Sequence, residues 1–579
     1  MASNVKIGLE IHQRINTGKL FCGCSASLDE PLNLDSIYRE LKAIKSELSE
    51  VDVAALMQEK RRTSFNYFYN DKSVCLVELD EEPPREPNRE ALLVALNIAL
   101  QLHMDILPYA IFMRKMIIDG SNTSGFQRTA LLAMGGSINT ASGETAIQSI
   151  ALEEESAGIM RDGQFRLDRL GIPLIEIATE PTIKSGAHCK EVAEAIGLLL
   201  RSTGYASRGI GTIRQDLNIS IEGGARVEIK GAQDLATLPK WVDNEIRRQE
   251  DLIALLEELR PLPKIESSPV DVSDVVRGAN ANFIKKALSS GCVALAMRVE
   301  GHAGFLGRKV GTRRYGSEVS DYAKMAGVGG IIHSDEDMSK YGIDKEAVEK
   351  SLSCNEDDAF IIVIAEENKA RAALNFAATR LNMREVPKET RKALPDGGSS
   401  FLRPLPGRAR MYPETDVPHI EIRPLLDEAM SLVESFDKKV ERLSKLLNKD
   451  LAYKIVKGRN LSLFEELSKE IEPKLVAITL EDTRVKIRRE LSREPREENI
   501  TAALMMYKEG LIAKRGIEPA IKMLEQGESK ERIIDSLGKL TKEELKSLVE
   551  SGKGMKEIMR DYGNRVDVEE LQSILSNRG

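Results

Sequence analysis

Carboxylates and an imidazole recur in the first part of this chain at spacings that suit metal-assisted chemistry. In the run Gly8-Leu9-Glu10-Ile11-His12, Glu10 and His12 stand two residues apart, so on a strand they share one face. Leu152-Glu153-Glu154-Glu155 sets three carboxylates side by side. GIPLIEIATEP holds Glu176 inside an apolar run, where an unpaired carboxylate would be costly and a partner is implied. Asp216 and Asn218 in RQDLNIS share a strand face, as do Glu228 and Lys230 in VEIKG. Acidic groups converging in this way suit Mg²⁺, which takes oxygen ligands and bridges to nucleotide phosphates. Each piece also has a plainer reading. Glu10 and His12 could be half-exposed strand residues, the glutamate run a solvated face, and Asp216 and Asn218 the approach to a turn. No GxxxxGK[ST] phosphate loop occurs. Residue types and spacing therefore stop at metal-assisted phosphoryl or acyl chemistry.

The elements that must position these groups are legible as patterns. VKIGLEIH alternates as a half-buried strand, and EALLVALNIALQLHM repeats its apolar residues at helical spacing. GTIRQDLNISIEGGARVEIKG reads as two strands about Gly223-Gly224. Such a mixture predicts an α+β fold with a mixed or mostly antiparallel sheet. The proline-rich break RPLPKIESSP and the loop LPDGGSSFLRPLPG bracket a section, 266–400, that reads as a separately folding α+β insert. The expected organisation is a domain of residues 1–265 plus 401–425, the insert, a helical domain 426–538 and a short tail 539–579. A length of 579 residues suits three to four domains.

Composition narrows the class. The net charge is −8 and there is one tryptophan, Trp241, so a protein coated in nucleic acid is not expected, although a local basic face is compatible. No apolar run reaches the roughly 20 residues of a membrane helix, and the N-terminus carries no signal-peptide pattern, which makes a cytoplasmic protein the expectation. Of six cysteines only Cys22 and Cys24 are close in sequence. That pair is neither a CxxC motif nor half of a familiar zinc site, and zinc is not expected there.

The strings KIGLEIHQRINTGKLFC, MRKMIIDGSNTSGFQRT, LEEESA, LDRLGIPLIEIATEP, IRQDLNISI with ARVEIKG, and ARMYPETDVP resemble, in order, the motifs of the tRNA-dependent amidotransferase B/E subunit family. CLVELDEEPPREPNREA and the insert resemble the archaeal E type, the insert being similar to a module of bacterial-type aspartyl-tRNA synthetases. The resemblance implies a cradle-like catalytic domain followed by helical tRNA-binding domains. It implies ATP and Mg²⁺, phosphorylation of the glutamate γ-carboxylate on Glu-tRNA(Gln), and amination by ammonia. The ammonia would come from an asparaginase-like D subunit, in a heterotetramer of two D and two E subunits. Carried over residue by residue, the metal positions are Glu10, His12, Glu154 and Glu176, with Asp216 as a further catalytic acid. Arg114, Lys115 and, more weakly, Lys230 are candidates to meet phosphate. In the helical region Arg484, Lys486, Arg488, Arg489, Lys514 and Arg515 could meet tRNA phosphates or form a solvated face. Glu155 stands where the family more often has Asp, and the segment before the tail is short. A B-type subunit working with an amidase-like partner and a non-catalytic tRNA-binding scaffold are the competing readings; the insert speaks against the first and the intact acidic set against the second.

Overall fold

The computed structural model describes residues 4–26, 28, 35–45, 50–59, 63–209, 211–405, 410–458 and 460–576. The chain folds as two compact units, Met1–Gly197 with Ala206–Val433, and Leu198–Tyr205 with Glu434–Gly579. The first unit is α+β and the second is helical, the fold class expected from the sequence.

The first unit is organised by one large sheet. Its principal strands, numbered here in chain order, are β1 (Lys6–Arg14), β2 (Phe112–Met116), β3 (Phe126–Met134), β4 (Gly143–Glu154), β5 (Pro173–Thr179), β6 (Ile213–Ser220), β7 (Val227–Lys230), β8 (Glu389–Ala393), β9 (Ser399–Pro404) and β10 (Met411–Tyr412). They lie in the order β9-β8-β7-β6-β1-β5-β4-β3-β2-β10, antiparallel except for the β7–β8 pair. The two edge strands, β9 and β10, are joined by only seven residue steps, from Pro404 to Met411. Seven steps reach at most about 25 Å, whereas ten strands laid flat at ~4.8 Å spacing would be roughly 43 Å across. The sheet must therefore curl until its edges approach each other, which makes one face concave.

The convex face is filled by α1 (Arg89–Gln101), apolar nearly all round and buried from Ala91 through Ala99. Asn88 caps it by accepting the Ala91 N–H at 3.0 Å, and the helix packs on β3 and β4 and under the helix Arg423–Ser431. Helix all round apolar means helix buried all round.

The section expected as an insert carries its own four-stranded sheet, with Val270–Asp271, Val293–Val299, Ala359–Ala365 and Ile332–His333 in that order. Helices α2 (Leu238–Leu259), α3 (Tyr315–Ala323) and α4 (Glu367–Leu381) contribute to its core through Leu252, Leu255, Val319, Leu374 and Leu381. Strands β8 and β9, whose hairpin turn is Asp396-Gly397-Gly398, belong to the large sheet. The main sheet thus resumes before residue 400, because the glycine pair makes a hairpin turn where the sequence suggested a domain break.

The join between insert and large sheet is a buried cluster of charge. Glu318 of α3 accepts from Arg391 of β8 at 2.7 Å and from Arg248 of α2 at 3.1 Å. Arg380 of α4 stands 3.7 Å away, and Arg248 is also matched by Glu245 at 2.8 Å. All of these side chains are essentially inaccessible to water. Buried charges survive only when paired, and the surrounding guanidiniums overcome burial to hold the Glu318 carboxyl well below the usual carboxylate range.

In the second unit, helices from Phe436–Ser444 to Lys530–Leu537 surround a core built on Ile455, Phe464, Leu480, Ile500 and Ile521. Residues beyond Lys539 close a smaller core of their own around Leu545, Ile558 and Leu571. No helix among the described residues is long and apolar enough to cross a membrane.

Removing the shared carboxylate with Glu318→Ala takes away one of the carboxylate partners of Arg248 and of Arg391 and the nearest carboxylate of buried Arg380. It is expected to destabilise the first unit by roughly 3–5 kcal/mol, read as an early transition in thermal or urea unfolding. The depressed carboxyl contributes stability that is complete at neutral pH and is lost on acidification.

Candidate active site

Strand alternation decides which charges meet. In the antiparallel register His12 of β1 lies opposite Glu176 of β5 and Arg214 of β6, and Glu10 lies opposite Asp216. Glu176 faces Ala151 and Leu174 faces Glu153, while Lys115 pairs with Gln127. Directly opposed residues project to the same side. One row across the sheet therefore reads Lys115, Gln127, Glu153, Glu176, His12 with Glu10, Asp216 with Arg214, and Lys230 with Glu228. Most of this row, with Glu176 and Glu228 set just behind it, lines a cavity of ≈ 580 Å³ that also takes in Arg169, Arg403 and Arg410.

At its centre His12 Nε2 is 3.2 Å from Glu176 Oε2 and 3.6 Å from Glu10 Oε1. Ligand atoms of Glu10, His12 and Glu176 all lie within 4.8 Å of one another, as do those of Glu10, Asp216 and Glu228. Burial alone would discharge His12, but the hydrogen bond and charge of Glu176 win and raise it to about 9. Burial likewise works against ionised Glu176, yet His12 and then Lys115 bring it down to about 2. Glu10 is pushed up to about 7 by burial and then by Glu176. Burial also pushes up Glu153, against Lys115 at 3.5 Å. Carboxylates crowded into one site compete for too few cations, and protons fill the deficit.

Beside this centre Lys230 Nζ bridges Asp216 Oδ2 at 2.7 Å and Glu228 Oε1 at 2.8 Å. The Gly231 N–H adds 3.1 Å to Asp216 Oδ1, and the Thr390 hydroxyl donates at 2.8 Å to Glu228 Oε2. Asp216 is thus a neutralised partner of Lys230 and stands opposite Glu10. The Glu155 carboxylate is ringed by Arg214 at 2.5 Å, Arg14 at 3.3 Å and nearby Arg169.

Two expected members project the other way. Glu154 follows Glu153, so its side chain passes to the convex face. There it accepts from the Arg128 N–H at 2.8 Å and Asn122 Nδ2 at 3.2 Å, with the Arg128 guanidinium at 3.4 Å. Arg114 precedes Lys115 and shares that face, its Nε donating to the Glu414 carbonyl at 3.1 Å and its guanidinium lying over Phe126. Arg128 also grips Asp416 at 2.7 Å. Arg114, Arg128 and Glu154 therefore tie the segment Glu414–Asp416 to the back of the sheet, and Glu153 occupies the cavity position expected of Glu154. The motif LEEESA does not reveal which glutamate faces inward, because that depends on the pairing register.

Sequence reading also missed Arg169, Arg214, Arg403 and Arg410. For Arg214 the signal was its two-residue spacing from Asp216 on a strand next to β1. For the others, assembled from distant segments, no local signal exists. In the second unit Arg484 is buried, donating to the Leu480 carbonyl at 2.8 Å and pairing with Glu494. Lys486 pairs with Glu518 at 2.7 Å, and Lys514 is exposed 3.5 Å from Glu472. Arg488, Arg489 and Arg515 are exposed.

A second donor group lies apart from this row. Cys22, Cys24, Cys75 and Glu78 offer ligand atoms within 4.8 Å of one another. Glu78 also receives the Cys75 N–H at 2.8 Å, and in the absence of a cation burial and then its charge push the Cys22 thiol up. Three sulfurs and one oxygen form a set that fits tetrahedral Zn²⁺. The sequence showed only the close pair, since Cys75 and Glu78 arrive from elsewhere in the chain. Chain purified under reducing, zinc-replete conditions is expected to retain about one zinc and to lose it on Cys75→Ser. A folded wild type whose thiols react freely and that carries no zinc would contradict this.

Residues 5–427 match the family model described as GatB/GatE catalytic domain. Relatives named as the E subunit of glutamyl-tRNA(Gln) amidotransferase include that of Methanocaldococcus jannaschii, 44% identical with 94% of this chain and 91% of the relative covered. That of Archaeoglobus fulgidus is 40% identical, covering 97% and 96%, and that of Sulfolobus acidocaldarius is 41% identical, covering 94% and 90%. The match spans the whole curled sheet and the cavity on its concave face, and on it this chain belongs to the amidotransferase B/E subunit family.

Proposed function

We propose that this chain is the ATP-using, tRNA-binding subunit of an amidotransferase that converts Glu-tRNA(Gln) to Gln-tRNA(Gln). The observation that carries the reading is the concave-face cavity, where an imidazole-carboxylate centre and two lysines converge in a chain with E-type relatives along nearly its whole length. Amide formation at a free carboxylate needs a leaving group, and phosphorylation of the γ-carboxylate provides one. Glu10, His12 and Glu176 are the residues that would hold Mg²⁺: two carboxylates and one imidazole, converging within 4.8 Å with charge to spare. Bound there, the ion supplies neutralisation of charge on the transferring phosphoryl group. Lys115, on the same face, presents its ammonium to developing phosphoryl charge. Lys230, bridging Asp216 and Glu228, offsets the negative charge that these two carboxylates would present to an anionic substrate. Attack of ammonia on the acyl phosphate forms the C–N bond, breaks the C–O bond to phosphate and frees one nitrogen proton that ends on the departing phosphate. The Glu153 carboxyl on the cavity wall is placed to pass it between them.

Ammonia would be supplied by an asparaginase-like partner, in an assembly of two such subunits with two copies of this chain. The E-type names of the relatives favour that partner over the amidase-like one. For tRNA, the exposed side chains Arg488, Arg489, Lys514 and Arg515 can meet phosphate, Arg488 and Lys514 by leaving ion pairs with Glu494 at 3.7 Å and Glu472 at 3.5 Å, whereas buried Arg484 is committed to the Leu480 carbonyl. Contacts of this type are independent of base sequence.

The direct test supplies Glu-tRNA(Gln), Mg·ATP and ammonium to the purified chain and measures Gln-tRNA(Gln). Product is expected without a partner. No product, even after an asparaginase-like protein is added, would sink the transamidase reading. A pH dependence follows from the same centre. His12 holds a proton below about 9 and Glu10 below about 7, so a cation must displace protons to bind. Mn²⁺ or Mg²⁺ affinity is expected to rise between pH 6 and 9 with net proton release, measured by calorimetry in buffers of different ionisation enthalpy. Affinity flat across that range would contradict the assignment.

A further inference from the structure

Most buried arginines in the first unit are matched by carboxylates. Arg128 has Asp416, Arg248 has Glu245 and Glu318, and Arg391 has Glu318 and Glu389. Arg403 and Arg410, both half-buried, have no carboxylate within 4 Å among the described residues, although Glu228 carries charge near both. Both line the cavity. They stand at the two ends of the short link from β9 to β10, where the sheet edges approach. Among the described residues Arg403 has no hydrogen-bond or ion-pair partner, and its Nε is buried with none. Among the described residues Arg410 donates through Nε, to the Met116 carbonyl at 3.0 Å, which fixes the guanidinium plane and leaves the terminal nitrogens for something else. Met116 follows Lys115 on β2, so this anchor sets Arg410 close to the Lys115 ammonium. Arg410 is repelled from both sides: burial and then Arg403 lower it, with Asp52, Asp119 and Glu228 only partly offsetting them, and Arg410 opposes the carboxylates that raise Lys115. Only Lys115 has a carboxylate within 4 Å, Glu153.

A cationic group held together against its own repulsion, opposite an acidic centre, is balanced when a multiply charged anion enters between them. Resting on the reading above that the chain uses ATP, we propose that Arg403 and Arg410 form, with Lys115, the clamp for the terminal phosphates of the nucleoside triphosphate. Planar guanidiniums on both sides of the gap can each take two phosphate oxygens. A single phosphodiester of the tRNA acceptor end would satisfy one of them and leave the other unpaired. The arrangement also ties nucleotide binding to the closure of the sheet, because each arginine belongs to a different edge.

The test uses Arg403→Gln, which removes a side chain that bonds to nothing in the fold, and Arg410→Lys, which keeps the charge but loses the fork. In ammonium-dependent transamidation the KM for ATP is expected to rise about 10- to 100-fold in Arg403→Gln and less in Arg410→Lys. The KM for Glu-tRNA(Gln) and the melting temperature should be unchanged. An unchanged KM for ATP in an active Arg403→Gln enzyme overturns the clamp. So does a rise confined to the KM for Glu-tRNA(Gln), which would assign the pair to tRNA phosphate. Should the wild type form no product, the transamidase reading fails separately. Calorimetric Mg·ATP binding to wild type and Arg403→Gln then decides the clamp, with equal affinities, or no binding by either, overturning it.

Discussion

Antiparallel pairing on a curled sheet is the constraint from which the site follows. Side chains alternate between a concave and a convex face, and the short link from Pro404 to Met411 forces the concave face to enclose a volume. Whatever charges the odd or even positions carry are then pressed together or kept apart. His12 and Glu176 meet because β1 and β5 are paired in a register that opposes them. Glu153 and Glu154, adjacent in sequence, end in different chemical environments.

The two faces use charge in opposite ways. On the convex face most groups are matched: Glu154 with Arg128, Arg128 with Asp416, and, at the join with the insert, Glu318 with Arg248 and Arg391. Such pairs hold segments in place and have little left to give a ligand. On the concave face matching is incomplete in both directions. Carboxylates crowd around Glu10, and Arg403 and Arg410 have no carboxylate within 4 Å among the described residues. Incomplete matching raises the energy of the empty protein, and entry of a cation and a polyphosphate relieves it.

Much of this was legible from the sequence. Glu10 and His12 two apart on an alternating strand, Glu176 inside an apolar run, and Glu228 with Lys230 on the strand that follows a glycine turn were each visible, since local period and local turn chemistry govern them; the pairing of Lys230 with Asp216 was not. The α+β class and the helical end were visible for the same reason. What the sequence concealed depended on register or on distance along the chain. Adjacent glutamates cannot be assigned to faces until their strand is paired. The Asp396-Gly397-Gly398 turn looks like a boundary until its flanking strands are seen in the sheet. Arg403 and Arg410 carry no motif and acquire meaning only from the cavity they border, as Cys75 and Glu78 do from their proximity to Cys22.

The most direct measurement is Mn²⁺ binding, followed by electron paramagnetic resonance, in Glu176→Gln and Glu154→Gln beside the wild type. Glu176→Gln is expected to weaken binding by at least about tenfold. Glu154→Gln should leave affinity unchanged and lower only thermal stability, through loss of its bonds to Arg128 and Asn122. Binding abolished by Glu154→Gln and untouched by Glu176→Gln would contradict the placement of the two glutamates on opposite faces and, with it, the identification of the concave face as the active site.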